Sequence, residues 1–274
     1  MRILFCTESQ MLETVEKKLA NLPLINIEIN GHKIPMVFDT GASMTIINES
    51  MLKIANISSE GKEIVGAGNL GVKVKSNTKI IEELRIGKIV ISDIEVIVVE
   101  DSTLDFGVDE DGNELKIDGF LGWDVIQNFS WKVNRTNNEI EVSTTEQTEN
   151  DENLFWDNMP IVPVSVDNEE LYFGFDTGNT ESILGSNFNA GLRKTHHEKE
   201  LIVGIDGRSE IEIEKLDELN LNVCGSEVQL KNLTMLDRDV FPTTKYEVQG
   251  LLAADLIENK VLWLDFKNNK ILIE

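Results

Sequence analysis

The chain has 274 residues, with 49 Asp and Glu against 25 Lys and Arg, and a formal net charge of -24 at pH 7. This length allows one large or two small domains with a sizeable core. The negative charge repels polyanions at long range, which excludes nucleic acid as an expected partner.

Cysteine usage and hydropathy favour a cytoplasmic protein. Cys6 and Cys224 are the only cysteines, and their spacing fits neither a disulfide framework nor a metal site. The apolar run at 3–6 is too short for a signal-peptide core, and no later stretch is long enough to span a membrane. We expect a soluble cytoplasmic monomer that does not bind a membrane.

The first predicted element is an added N-terminal helix over residues 8–20, where apolar side chains recur on one side. A β-hairpin follows over 24–38. Its first strand alternates apolar and polar residues, Asn30-Gly31 supplies the two positive-φ positions of a tight turn, and its second strand leads into Asp39.

Further strands and turns complete the first half and then return in the second. We predict a strand at 89–99, a short helix with Asp124 as its N-cap, and a hairpin around Asn137-Asn138. The second half repeats this series with a hairpin that turns at Asp167-Asn168, a strand at 228–236, a short helix capped by Asp255, and a hairpin around Asn268-Asn269.

The chain is an internal duplication. Asp39 and Asp176 differ by 137 positions (176 − 39), and residues 119–142 align with 250–273 at an offset of 131 (250 − 119). Two copies of one unit therefore account for nearly the whole chain.

This duplication predicts an all-β fold of two similar β-barrel lobes, with one short helix per lobe. The N-terminal lobe is assigned to residues 1–142 and the C-terminal lobe to residues 159–274. Residues 143–158 between them contain the polar, acidic stretch STTEQTENDEN, which is typical of a linker.

Each copy contains the sequence FDTG, which puts an aspartate in surroundings otherwise fit for a buried strand. A single Asp-Thr-Gly is explained as a turn in which the aspartate accepts backbone N–H bonds. That explanation does not account for its return at the equivalent place. We therefore predict that a pseudo-twofold relation brings Asp39 and Asp176 face to face.

Such a pair has a definite chemistry. Two carboxylates about 4 Å apart repel by about 4 kcal/mol at an effective dielectric near 20, so the two hold one proton between them. The charged carboxylate can take a proton from a water while the protonated one polarises a carbonyl group. This arrangement hydrolyses an amide without a metal, a cofactor or a covalent intermediate.

These motifs resemble those of aspartic proteases of the pepsin and retropepsin clan, in the bacterial type that carries two retropepsin-like lobes in one chain. The resemblance covers roughly residues 22–142 and 159–274. It implies an acid-protease fold with a pseudo-twofold axis, Asp39 and Asp176 as catalytic residues, a peptide or protein substrate, and no cofactor.

The resemblance also implies a set of supporting residues. Thr40 and Thr177 would cross-link the two active-site loops, and Gly41 and Gly178 would let backbone N–H groups approach the carboxylates. The hydrophobic-hydrophobic-Gly motif that supports the catalytic loop ends at Gly122 in the first copy. Its counterpart ends at Ala253, which departs from the family pattern.

The positions after each Asp-Thr-Gly also differ from the family, which often has a hydroxyl there. They are Ala42 and Asn179. Without a hydroxyl at position 42 the pair is less acidified, so we predict activity nearer pH 5–7 than pH 2–3.

Each copy has a glycine-bearing segment where the family carries a flap over the substrate. The flap residues are Val65, Gly66, Ala67 and Gly68 in the first copy and Val203, Gly204, Ile205, Asp206 and Gly207 in the second. Two flaps are expected, because neither tyrosine of the chain lies where pepsin-like enzymes carry their flap tyrosine. The alternative is that both segments are ordinary hairpin turns.

Three terminal segments, 1–5, 139–142 and 271–274, are expected to join an interlobe sheet. The stretch 109–113 and the pair His196-His197 do not match calcium or zinc motifs and are interpreted as solvated loops, so no metal is expected. A second hypothesis is a catalytically silent peptide-binding module, favoured by Ala253 and Asn179 and opposed by the retention of both aspartates.

Overall fold

The computed structural model describes residues 1–4, 10–12, 22–59, 61–67, 73–108, 114–143, 152–205, 207–236, 241–242 and 244–274. The chain is mostly β and forms two closed six-stranded β-barrels, one in each half, which confirms the predicted fold class. None of the helices in these ranges is long and apolar enough to cross a membrane.

The first half contains the following elements in chain order: β1 (Arg2–Leu4), β2 (Gln10–Leu12), β3 (Leu24–Ile29), β4 (His32–Phe38), β5 (Ile46–Asn48), α1 (Glu49–Ile54), β6 (Glu63–Ala67), β7 (Lys73–Ile86), β8 (Ile89–Val99), a 3₁₀ turn (Asp101–Leu104), β9 (Asp105–Val108), β10 (Glu114–Lys116), β11 (Gly119–Leu121), α2 (Trp123–Ile126), β12 (Ser130–Asn134) and β13 (Glu139–Ser143). The helix α1 was not predicted.

The second half repeats most of this order with β14 (Phe155–Trp156), β15 (Pro160–Val166), β16 (Glu169–Phe175), β17 (Ile183–Leu184), β18 (Thr195–Gly204), β19 (Gly207–Val223), β20 (Ser226–Met235), β21 (Val248–Leu252), a 3₁₀ turn (Ala254–Ile257), β22 (Val261–Asp265) and β23 (Lys270–Ile273). The 3₁₀ turn before β22 is the counterpart of α2.

Strand pairing has the same unusual pattern in both halves. In the first, β11 runs parallel to β4 and antiparallel to β5. In the second, β21 runs parallel to β16 and antiparallel to β17. Thus β11 lies between β4, which precedes Asp39, and β5, which follows the first aspartate loop. In the same way, β21 lies between β16, which precedes Asp176, and β17.

The two predicted tight turns are confirmed. Asn30 and Gly31 have φ of 49° and 80°, and they join β3 to β4 in the register Ile29 opposite His32. Asp167 and Asn168 have φ of 52° and 67° and join β15 to β16. Asn, Asp and Gly tolerate positive φ, which is why these pairs form two-residue hairpin turns.

A five-stranded sheet joins the two halves in the order β2-β13-β12-β22-β23. Its central pairing is between β12 and β22, one strand from each half. The prediction for residues 1–5 was wrong, because β1 pairs with β8 of the first barrel. Instead β2 takes the edge of the joining sheet, so residues 10–12 are strand where a helix was predicted. The rest of that predicted helix, residues 8–9 and 13–20, lies outside the described residues.

Candidate active site

Asp39 and Asp176 occupy equivalent positions at the ends of two barrel strands. Asp39 follows β4, and its N–H donates to the Leu121 carbonyl at 3.0 Å. Asp176 follows β16, and its N–H donates to the Leu252 carbonyl at 2.9 Å. The parallel pairing with β11 and β21 thus fixes the backbone of both aspartates.

A reciprocal set of hydrogen bonds ties the two aspartate loops together. The N–H of Thr40 donates to Thr177 Oγ1 at 3.1 Å, and the N–H of Thr177 donates to Thr40 Oγ1 at 3.0 Å. Each hydroxyl then donates across the interface, Thr40 to the Phe175 carbonyl at 2.9 Å and Thr177 to the Phe38 carbonyl at 2.6 Å. Both threonines are buried, so these four bonds are shielded from water and hold the loops in one geometry.

Each loop glycine lies against the aspartate of the other copy. A Cβ at Gly41 would stand 2.3 Å from Asp176 Cγ, and one at Gly178 would stand 2.2 Å from Asp39 Cγ. No side chain fits at either position, so only glycine permits the two loops to approach this closely.

Backbone N–H groups support both carboxylates. Gly41 and Ala42 donate to Asp39 Oδ1 at 2.8 and 2.9 Å. Gly178 donates to Asp176 Oδ1 at 2.9 Å. The side-chain Oδ1 of Asn179 accepts from the N–H of Thr180 at 3.2 Å.

The carboxyl groups of Asp39 and Asp176 interact with each other, and this interaction shifts their pKa values. Burial raises the pKa of Asp39 well above its ordinary value, and the charge and hydrogen bond of Asp176 raise it further. Burial also raises the pKa of Asp176, while its hydrogen bond with Asp39 acts in the opposite direction. A pair in which one member releases its proton more easily than the other retains a single proton over a wide pH range.

A second pair of carboxylates beneath the loops was missed by the sequence reasoning. Asp124 Oδ1 accepts from both the N–H and the hydroxyl of Thr45, at 2.9 and 2.8 Å. Asp255 accepts the equivalent bonds from Ser182, at 2.9 and 2.6 Å. Thr45 and Ser182 are separated by the same 137 positions (182 − 45) as the dyad, a sequence signal that could have identified them.

The same network corrects the predicted helix caps. Asp124 and Asp255 lie inside their helical turns, where Gly122 and Ala253 are the N-caps. The two aspartates therefore bind the aspartate loops rather than the start of their own helices.

Ala253 is accommodated without distortion. It is fully buried in an extended conformation, with φ of -125° and ψ of -165°. Its N–H donates to Ser182 Oγ at 2.9 Å, just as the N–H of Gly122 donates to Thr45 Oγ1 at 3.2 Å. The departure from glycine therefore leaves the support of the second loop intact.

The dyad lies at the floor of a cavity of about 1300 Å³ between the lobes. Both hairpins predicted as flaps reach this cavity, the first through Ile64 and Gly66 and the second through Gly204 and Ile205. Ala42 and Asn179 also line it.

Gly207 follows the second turn with φ of 131°. Val65 is 56% exposed, and the strand β6 ends at Ala67. Val203 pairs with Arg208 in the second hairpin, whereas Gly68 and Asp206 lie outside the described residues.

Within the described ranges, no group of three or more His, Cys, Asp or Glu side chains could hold a metal ion. The interpretation of His196-His197 as a loop was wrong, because both residues lie in β18, where His196 Nδ1 is 2.8 Å from Asp217 Oδ1. Residues 109–113 lie outside the described residues.

One family model matches part of the chain. Residues 25–128 match the model of a family described as gag-polyprotein putative aspartyl protease. The matched range contains the first aspartate loop, the first flap hairpin and Gly122, and it ends before the second copy. No curated protein matches the chain. The first lobe is therefore similar to aspartyl proteases of the retropepsin type.

Proposed function

We propose that the chain is a single-chain aspartic endopeptidase that hydrolyses peptide bonds with a water activated by Asp39 and Asp176. The observation that carries this proposal is the reciprocal packing of the two aspartate loops, in which each loop glycine lies against the carboxyl group of the other copy's aspartate and both aspartates line one cavity. The aspartyl protease match over residues 25–128 supports the same reaction class.

The reaction follows from the single shared proton. Burial raises the pKa of both carboxyl groups and their interaction leaves the pair with one proton, so one carboxyl group is protonated while the other is charged. The charged carboxylate takes a proton from the water as the water oxygen attacks the peptide carbonyl carbon, while the protonated carboxyl group donates its proton to the carbonyl oxygen. The carboxyl group that took the water proton then donates it to the amide nitrogen, the other carboxylate takes a proton from one hydroxyl of the tetrahedral diol, and the C–N bond breaks. An acid and an amine leave, and the pair again holds one proton.

A peptide substrate would bind in an extended conformation between the dyad and the flap hairpins. An extended peptide gains main-chain hydrogen bonds as an added strand, and its alternate side chains enter pockets on the two sides. Two copies in one chain supply both aspartates, so a monomer is sufficient for activity. The two distant cysteines support our proposal of a reducing, cytoplasmic location.

The catalytic role is tested with Asp39→Asn and Asp176→Asn. Asparagine keeps the shape and the acceptor oxygen but removes the titrating group, so each variant should lose cleavage of a peptide library by about 10³-fold. Each should still bind a pepstatin-like peptide, detected as a thermal shift. The matched control is Asp167→Asn, whose carboxylate is exposed on the second lobe and which should cleave as the wild type does.

The pH profile provides an independent test. The wild type should be most active near pH 5–7, because burial of the dyad raises both pKa values and position 42 carries no hydroxyl. A wild type that cleaves no library peptide between pH 3 and 8 while it binds the pepstatin-like peptide would overturn the endopeptidase proposal in favour of a silent binding module.

A further inference from the structure

The two flap hairpins differ in what they contact. The duplication aligns residues 63–69 with 201–207 at an offset of 138 (201 − 63). At that offset Ile205 replaces Ala67. The C-terminal hairpin therefore has a large apolar residue at its turn where the N-terminal hairpin has a methyl group.

Ile205, at the turn of the C-terminal hairpin, packs across the cavity on the first lobe. It contacts an apolar cluster built on the cavity-facing side of the first barrel. Six of the residues that belong to the cluster and also line the cavity are Ala42, Ile46, Ile97, Val99, Phe106 and Phe120. We call these six residues the lobe-one pocket.

Arg208 makes a second contact with the first lobe. Its Nη2 donates to the Asp105 carbonyl at 2.6 Å, and the same nitrogen lies 4.0 Å from Asp105 Oδ1. The guanidinium lies against Gly107, which has φ of 90° and where a Cβ would stand 3.3 Å from Arg208 Nη1. Because Gly107 has no side chain, its backbone leaves room for the guanidinium of Arg208.

The described part of the N-terminal hairpin makes no comparable approach to the other lobe. Val65 is 56% exposed, and a Cβ at Gly66 would have no atom within 4 Å. Both observations indicate that the hairpin stands clear of neighbouring side chains at Val65 and Gly66.

We propose that the C-terminal flap is the lid of the site, docked on the first lobe by Arg208, and that Ile205 is a specificity-determining residue. This inference rests on the proposed peptidase function. Ile205 forms one wall of the lobe-one pocket, so it limits the apolar side chain of the peptide that the pocket accepts next to the cleaved bond. The exposed contact of Arg208 is weak enough to release when a peptide enters or leaves.

The specificity role is tested with Ile205→Ala. Peptides that differ only in one residue beside the cleaved bond, Val, Leu or Phe, are compared by kcat/KM. Removing the isoleucine wall should shift the Phe to Val ratio toward Phe by about tenfold. The control is Ile54→Ala, an exposed isoleucine on α1, which should leave the ratio unchanged. An unchanged ratio in Ile205→Ala would overturn the specificity role.

The docking role is tested without relying on cleavage. In an Asp39→Asn background, Arg208→Ala should speed amide hydrogen exchange in residues 195–204 and 207–215 by at least about threefold, with no change in 73–86. The control is Arg193→Ala, which breaks an ion pair with Asp167 within the second lobe. Equal exchange in Arg208→Ala and its parent would overturn the docking. Faster exchange in Arg208→Ala, together with a wild type that cleaves no peptide, would retain the docked flap and reject the peptidase function.

Discussion

The dyad should make the folded protein less stable as the pH rises. Burial raises the pKa values of Asp39 and Asp176 above the value of about 3.9 in an unfolded chain. Above that pH the folded state holds more protons than the unfolded state, so the free energy of unfolding falls until the folded pKa is passed. Asp39→Asn removes this loss and should stabilise the protein at pH 7, by on the order of 1.4 kcal/mol for each unit of pKa shift.

Urea unfolding at pH 4.5 and pH 7 measures this effect. The advantage of Asp39→Asn over the wild type should grow between the two pH values, whereas Asp167→Asn, with an exposed carboxylate, should show no such growth. If the advantage is the same at both pH values, folding does not raise the pKa values of the pair.

The dyad could be predicted from sequence because its local signal is strong and occurs twice. The hydrogen bonds beneath it were not predicted, because Thr45 and Asp124 are 79 residues apart and neither has a distinctive neighbour sequence. Hydrogen bonds between distant residues depend on how the strands pack. In this chain only the offsets of the duplication record them: Thr45 and Ser182 differ by 137 positions (182 − 45), as the dyad does, and Asp124 and Asp255 differ by 131 (255 − 124).

At the scale of an element, Gly122 and Ala253 follow the strands that support the two aspartate loops. Adding a methyl group at Gly122 and removing one at Ala253 should have different effects. A Cβ at Gly122 would stand 2.4 Å from the Met44 carbonyl carbon and 2.7 Å from the Thr45 nitrogen. Gly122→Ala must therefore displace backbone and should cost about 1–3 kcal/mol. The reverse change in the second copy, Ala253→Gly, needs no displacement and should cost about 0.5–1 kcal/mol through added backbone freedom.

The pair of variants is compared by urea unfolding and by peptide cleavage. Gly122→Ala moves the segment that donates to Thr45, so its cleavage rate should fall with its stability, while Ala253→Gly should retain the wild-type rate. Equal losses of stability and cleavage rate in the two variants would show that both lobes have the same steric requirement at this position.

Elements that depend on residues close together in sequence were predicted. Elements that depend on partners far away in sequence were not. The turn at Asn30-Gly31 follows from residues that tolerate positive φ. Residues 10–12 belong to a stretch with helical periodicity but form β2. The edge of β13 offers unpaired backbone N–H and C=O groups, and β2 pairs with them. Similarly, nothing in the residues around Ile205 predicts that it contacts the opposite lobe.

At the scale of the whole molecule, the two barrels should unfold together because they share one sheet. β12 lies between β13 of its own half and β22 of the other, and Lys132 is opposite both Glu141 and Trp263. A proline at position 132 removes an N–H from the centre of this sheet, where proline is not tolerated. Lys132→Pro should therefore destabilise both halves, by about 3 kcal/mol or more.

The matched control is Lys132→Ala, which keeps the N–H and loses only the contact of the ammonium with the Trp263 ring at 4.4 Å, a change of about 0.5–1 kcal/mol. Far-ultraviolet circular dichroism and tryptophan fluorescence should report one coincident urea transition for the wild type and for both variants, shifted farthest in Lys132→Pro. Two separate transitions in the wild type would mean that each barrel is stable alone. The shared sheet would then align the aspartate loops without coupling the stability of the lobes.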